Sequence, residues 1–297
     1  LNDLVEMHAV RRAARSAVER LEPRALIVSS TTAAMALPRV PLPYAVRFDA
    51  PARLNRPGAR NRFLHTLERR ALSRARLTIP FSVAGAEALP EGAARPVVVS
   101  PPIDPSAPAS PGGERERLAV AYTPDPKAKG LAVVVAAWAA AGVGNARLDV
   151  YGLDPDWARS HLARAGVGLP ASVVLCGTVP AERFRAALRR AHAYAAGARW
   201  EDWGQAPLEA LADGALLVTT PAGGPYEGLR LARELDTSLV AERVEPTALA
   251  EAIRTAFELP GERVVAYRER ATELMRPYRS EAVQQTVARE LVPALLG

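Results

Sequence analysis

The chain is nearly without cysteine and nearly without lysine. Its one cysteine, Cys176, excludes an intramolecular disulfide and a zinc site built on thiolates. Four histidines, His8, His65, His161 and His192, are scattered with no pair at metal-binding helical spacing, so no metal site is expected. There is no G-x-S-x-G elbow for serine hydrolysis. No apolar run reaches the ~18 residues that span a bilayer. No basic stretch followed by an apolar core opens the chain, so no signal peptide is expected; with so little cysteine, this favours the cytoplasm. The chain begins at Leu1 rather than Met, and the expectation is that a piece precedes it.

Positive charge is plentiful. The net charge is +6, which favours anionic partners: nucleic acid, an anionic membrane surface or phosphorylated small molecules. Neither a zinc finger nor an aromatic RNA-binding box is present, so nucleic acid is not expected. Of 38 basic residues only two are lysines, and both, Lys127 and Lys129, lie in one loop. Two readings are open: a compact ammonium kept for a phosphate, or chance clustering of a rare residue.

Hydrophobic patterning gives strands alternating with helices, which implies parallel sheets. A basic amphipathic helix is expected over 2–21. Strands follow at 25–30, 44–49, 76–81 and 96–100, with an arginine-rich helix over 58–75. Residues 101–117 break the alternation with Pro101, Pro102, Pro105, Pro108, Pro111, Gly112 and Gly113, the best linker in the chain. Beyond it, strands are expected at 118–123, 147–151, 172–176, 192–196, 215–219 and 238–241. Helices are expected at 130–141, 155–166, 181–190, 207–213, 246–258, 262–274 and 280–295. Such a doubly wound sheet binds ligands beyond the carboxyl ends of its strands. The expected domains are 1–105, a linker at 106–117, 118–278, and a closing helix at 279–297 packing back on the first domain. The first domain shows only about four strands, fewer than a full doubly wound sheet, and is therefore read as incomplete.

Two loops carry candidate chemistry. Tyr122-Thr-Pro-Asp-Pro-Lys-Ala-Lys-Gly130 leads from a strand into a helix, where free N–H groups, the helix dipole and Lys129 suit a diphosphate. Gly130 permits close backbone approach; the alternative is an ordinary turn with surface lysines. In Trp200-Glu-Asp-Trp-Gly-Gln-Ala-Pro-Leu-Glu-Ala-Leu-Ala-Asp-Gly214, Pro207 suits a first helical position, which puts Glu209 in the first turn. Glu201 lies in the preceding loop. A ligand across that mouth meets both carboxylates, which suit sugar hydroxyls; the alternatives are helix capping for Glu209 and a solvated charge for Glu201. Gly223 and Gly224 follow the next strand, marking either close ligand approach or a plain turn.

On these residues the chain resembles glycosyltransferase family 4, retaining enzymes of the GT-B fold. Glu201 and Glu209 match the family's E-x7-E spacing, and Trp203-Gly204 matches its aromatic-glycine loop. Leu208-Glu-Ala-Leu-Ala-Asp-Gly214, the Gly223-Gly224 loop with Glu227, Lys129-Gly130 and Cys176-Gly-Thr-Val179 also match. The resemblance covers roughly 60–285 and is strongest in the second domain.

The fold it implies is two Rossmann-like doubly wound domains facing a cleft. By resemblance, Lys129 neutralises the donor diphosphate, with Lys127 beside it. Glu209 binds the ribose hydroxyls, Glu201 orients the donor sugar and Val179 lies near the base. The amides around Gly130, Gly204, Gly223 and Gly224 line sugar and phosphates. Phe48-Asp49 stands where the family has His-Asp, which makes Asp49 a catalytic candidate with Glu201 and Lys129. Pro124 stands where the family has Arg.

The implied activity is transfer of a sugar from a nucleotide-diphosphate sugar to a saccharide or lipid-linked acceptor of the cell envelope. It proceeds with retention and without metal or cofactor. The alternatives are a non-catalytic sugar-nucleotide-binding protein and a GT-B epimerase. The arginine-rich stretch Arg53 to Arg76 is either a solvated face or a contact with an anionic membrane.

Overall fold

A computed structural model describes residues 9, 12–13, 16–37, 41–108 and 112–297. The helix expected over 2–21 lies largely outside the described residues, as does Pro111; residues 16–21 are helical. The chain divides into two units: residues 1–102 with Ser280–Gly297, and Ile103–Arg279.

In the first unit, strands β1 (Leu26–Val28), β2 (Tyr44–Phe48) and β3 (Leu77–Pro80) form a parallel sheet in the order β1-β2-β3. Helices α1 (Thr31–Ala36), α2 (Ala52–Asn55), α3 (Arg62–Arg74) and α4 (Val83–Glu87) connect and cover them. The strand expected at 96–100 is reduced to one bridge, Thr78 with Pro96. Proline has no N–H to give a ladder there, although Val97 and Val99 still donate to the Thr78 and Pro80 carbonyls. Helices α12 (Ser280–Thr286) and α13 (Val292–Leu296), the last in chain order, close this unit, with Leu291 and Leu295 packed against Ala45, Leu77, Ile79, Val97 and Val99. Between them Val287–Leu291 widens into a π turn. Pro293 explains the widening, since its ring would collide with the carbonyl four residues back in a regular helix.

The second unit is a five-stranded parallel sheet in the order β6-β5-β4-β7-β8. Its strands are β4 (Glu116–Tyr122), β5 (Arg147–Tyr151), β6 (Val173–Gly177), β7 (Ala191–Ala196) and β8 (Leu216–Thr219). In chain order its helices are α5 (Leu131–Ala141), α6 (Pro155–Arg164), α7 (Ala181–Arg190), α8 (Gln205–Ala212), α9 (Glu227–Leu235), α10 (Pro246–Glu258) and α11 (Gly261–Leu274). Helix α5 packs with α6 and α10, while α8 packs with α7, α9 and α11, so both faces of the sheet are covered. Helix α5 is apolar on every side and buries Leu131, Val134, Val135 and Trp138; each large side chain so buried contributes roughly 1.5–3 kcal/mol as an upper estimate. The strand expected at 238–241 is instead a 3-10 turn, Thr237–Leu239, followed by one bridge from Val240 to Thr219. Asp236 caps that turn through the Ser238 N–H and hydroxyl, and this side-chain bonding competes with strand pairing. No described helix is long and apolar enough to cross a membrane.

Part of the proline-rich stretch is held firmly. Asp213, just after α8, accepts from Arg185 and from both the N–H and the hydroxyl of Ser106. Arg185 also donates to the Asp104 carbonyl. Arg268 ties Gly113 to Gly214, and burial, helped by the neighbouring Arg115, lowers its pKa to about 10.

The Asp213 carboxylate is fully buried, so removing its partner should be costly while an exposed pair should not matter. Arg185→Ala is expected to lose about 3 kcal/mol. Arg190→Ala, which breaks an exposed pair with Glu116, should lose less than about 1 kcal/mol. Urea unfolding of both variants checks this; equal losses would contradict it.

Candidate active site

The sheet order places a switch point between β4 and β7, whose following loops run to opposite sides. Those two loops carry Lys129 and Glu201. Lys129 Nζ donates to both carboxylate oxygens of Glu201, at 2.6 and 2.7 Å. The Glu201 side chain is only 9% exposed, the Lys129 side chain 31%.

Each partner is held by its own loop. The Asp125 carboxylate accepts from the Lys127 and Ala128 N–H groups, and the Lys129 N–H donates to the Asp125 carbonyl. This compact turn delivers Lys129 to the start of α5. Gly130 has φ +67°, and a Cβ there would lie 2.0 Å from the Gly197 carbonyl oxygen, just past β7. On the other side, the Glu201 N–H donates to the Gly223 carbonyl, and the Gly223 N–H donates to the Arg199 carbonyl. A Cβ on Gly224, at φ +97°, would lie 2.2 Å from the Glu201 carbonyl oxygen. The β4, β7 and β8 loops are thus locked together through backbone.

A cavity of about 150 Å³ opens beside the ion pair, lined by Tyr122, Lys129, Tyr194, Gly197, Glu201 and Gln205 among others. Burial raises the Glu201 carboxyl above its usual range; Lys129 pulls it down and Asp202 adds to the rise, leaving the net direction upward. Tyr194 is buried and held well above its usual range, chiefly by burial and then by Glu201. The arrangement offers a cation, a buried carboxylate and backbone amides around one small space, which suits an anionic ligand carrying hydroxyl groups.

Residues 108–274, more than half of the chain, match the family model of glycosyl transferases group 1. The chain belongs to that family. No curated protein matches it by sequence. Among solved structures, it is similar to Anabaena Alr3699/HepE in complex with UDP and glucose. The TM-score is 0.75 at 16% identity, covering 96% of this chain and 81% of that one. It is also similar to a trehalose 6-phosphate synthase from Burkholderia multivorans, with TM-score 0.75 at 15% identity over 98% and 75% of the two chains. A sucrose-phosphate synthase from Thermosynechococcus elongatus gives 0.73 at 15% over 95% and 77%. At such identities the likeness establishes the fold, which is that of GT-B glycosyltransferases.

In this group 1 glycosyltransferase the second unit brings Lys129, Gly130, Gly204, Glu201, Gly223 and Gly224 into one set of adjoining loops. Lys127 is exposed on the Lys129 loop, and Val179 is half-buried between β6 and α7. Gly204 precedes α8, with the Tyr226 ring packed against it. Glu209 needs a correction. Helix α8 begins at Gln205, so Pro207 is its third residue and Glu209 its fifth, beyond the first turn. Neither capping nor the dipole accounts for Glu209 there. Its carboxylate instead accepts from Gln205 Nε2 at 2.8 Å. Asp49 belongs to the first unit, after β2, where its carboxylate accepts the Ala50 N–H.

Sequence reasoning missed Gly197, Asp125, Tyr194 and Tyr226. A glycine just after a strand and an Asp-Pro-Lys turn were available signals for the first two. The two tyrosines carry none. Glu227 is buried and accepts from Arg230 and from Tyr278, both at 2.6 Å, tying α9 to the 3-10 turn Arg276–Tyr278.

Two outcomes follow from the ion pair and its loops. Folded Glu201 holds its proton more tightly than an unfolded carboxyl, so its ionisation costs stability as pH rises above the usual carboxylate range. Glu201→Gln is therefore expected to melt at or above wild type at pH ~7, with no difference near pH ~4. A variant melting clearly lower at neutral pH would mean that Lys129 outweighs burial. Gly224→Ala should displace the Glu201 loop and lose roughly 1–3 kcal/mol, read by thermal melting.

Proposed function

We propose that this glycosyltransferase uses a nucleotide-diphosphate sugar as donor and a saccharide or lipid-linked acceptor, with retention and without a metal ion. The observation that carries this reading is the meeting of Lys129 and Glu201 at the switch point, beside a small cavity ringed by backbone. In the reading, Lys129 neutralises the departing diphosphate. Glu201 orients the donor sugar, and Glu209, steadied by Gln205, takes the ribose hydroxyls. The amides near Gly204, Gly223 and Gly224 complete the donor's surroundings. The chemistry required of such a site is positioning and stabilisation of a leaving diphosphate while positive charge develops on the sugar. Asp49, after β2 of the first unit, is the remaining catalytic candidate of the reading. The similar structure holding UDP and glucose supports a uridine donor. The reading, of family 4 hexosyltransferase type, sets the enzyme in the cytoplasm, acting on an envelope saccharide.

Pro124, in place of the resembling family's arginine, and Phe48, in place of its histidine, favour a second reading: a protein that binds the donor without transferring it. Hydrolysis of the donor by the purified protein would exclude that reading.

Donor binding is tested by thermal stabilisation with UDP, GDP and ADP on the wild type, Lys129→Ala and Glu209→Ala. A ligand at a hundredfold over its dissociation constant adds about 2.7 kcal/mol. One nucleotide should stabilise the wild type, and both variants should lose the effect. No stabilisation by any of the three would overturn the donor reading.

A further inference from the structure

One stretch of the first unit carries surface charge of one sign. Between residues 50 and 80 the chain has eight arginines and a single acid, Glu68. Glu68 is buried, and both its oxygens accept the Ala52 N–H. It is turned inward, where His65 and Arg56 favour its charged form. Arg53, Arg60, Arg62, Arg69, Arg70 and Arg74 are all exposed. In the second unit, by contrast, Arg159, Arg190, Arg230, Arg243, Arg263 and Arg270 each meet an Asp or Glu. A merely solvated face carries interspersed signs, as the second unit does.

On helix α3, at 100° per residue, Arg62, Phe63, Arg69, Arg70 and Arg74 fall within one arc of about 140°. Leu64, Ala71 and Leu72 fall on the opposite side, and Ala71 and Leu72 are buried. Phe63 is 72% exposed, in the middle of the arginines. Beside α3 a cavity of about 590 Å³ is lined by Arg53, Arg62, His65, Thr66 and Arg69, room for a phosphate group among guanidinium groups.

We infer that the outward face of α3, with the turn before it, docks on an anionic lipid surface: the arginines bind headgroup phosphates and Phe63 inserts at the acyl boundary. An exposed aromatic set among cations fits a lipid interface, where apolar and charged layers lie side by side. It has no comparable place on a phosphate backbone. The inference stands apart from the donor reading, since it concerns the first unit and is read without activity.

The test is co-sedimentation of the full chain with vesicles of phosphatidylcholine alone, or mixed in equal parts with phosphatidylglycerol, at low and physiological salt. The mixed vesicles should carry the protein down and the neutral ones should not. Each basic residue near such a surface strengthens binding about fivefold, so the double variant Arg69→Glu/Arg70→Glu should weaken it by more than about tenfold. Phe63→Ser should weaken it several-fold with the salt dependence unchanged. Arg159→Glu, on the second unit, should leave it unaltered. Melting temperatures confirm that the variants fold, since all these positions are exposed. Absence of binding to mixed vesicles at low salt, equal binding to neutral ones, or equal binding by the double variant overturns the inference. So does a preference for duplex DNA added as competitor.

Discussion

Gly130 and Gly197 stand face to face, and no side chain fits between them. A methyl group on Gly130 would reach 2.0 Å from the Gly197 carbonyl oxygen, and one on Gly197 would reach 2.7 Å from Val134. This contact lets the loop after β4 lie against the loop after β7. The reach of Lys129 is finite, and its ammonium meets Glu201 at 2.6 Å because the two loops touch. The β8 loop joins through Gly223 and Gly224, again backbone to backbone. The site is thus a property of three strand ends drawn together, and its charged groups are positioned by elements whose cores are largely apolar.

That positioning leaves a carboxylate in a poor place for a charge. Burial pushes the Glu201 proton affinity up, and one half-buried ammonium offsets only part of the cost. A fold selected for stability alone would keep a neutral side chain there. Groups held against their own solvation preference are what a reactive or binding surface requires, because they gain most when a ligand supplies what the protein withholds. Glu227 makes a useful contrast. It is equally buried, yet Arg230 and Tyr278 both donate to it, and it sits at the start of α9 rather than at the cavity. Two buried glutamates of one sheet edge are therefore set apart by their partners, one tied down by a tyrosine and an arginine, the other held by a single ammonium beside the cavity.

How much of this the sequence disclosed depended on the range of the interaction. The alternation of strands and helices was legible because periodicity is local, and most elements of the second sheet fall within two residues of their expected bounds. Helix α9 and the short helices α1, α2 and α4 were not expected, and local side-chain chemistry accounts for two further differences. Asp236 capped a turn where a strand was expected, and Pro96 weakened a ladder that its neighbours still form. Glu209 was read as a first-turn residue because Pro207 is a good helix start, but α8 begins two residues earlier, at Gln205. Nothing local reports the pairing of Gly130 with Gly197, or of Lys129 with Glu201, across about 70 residues of chain. The proline-rich stretch reads as a linker by composition. Yet Ser106 and Asp104 are bonded to Arg185 and Asp213, which lie about 80 to 110 positions away.

The choice of lysine at 129 follows from the same geometry. A chain with 38 basic residues places a lysine only at 127 and 129. A guanidinium is planar, and its fork would saturate the two Glu201 oxygens while its remaining N–H groups stay in that plane. An ammonium has three donors arranged tetrahedrally. Two point at the Glu201 oxygens, and the third is left over on a side chain that still keeps about a third of its surface open. In the donor reading proposed above, that spare donor would meet the ligand phosphate while the buried carboxylate keeps its partner.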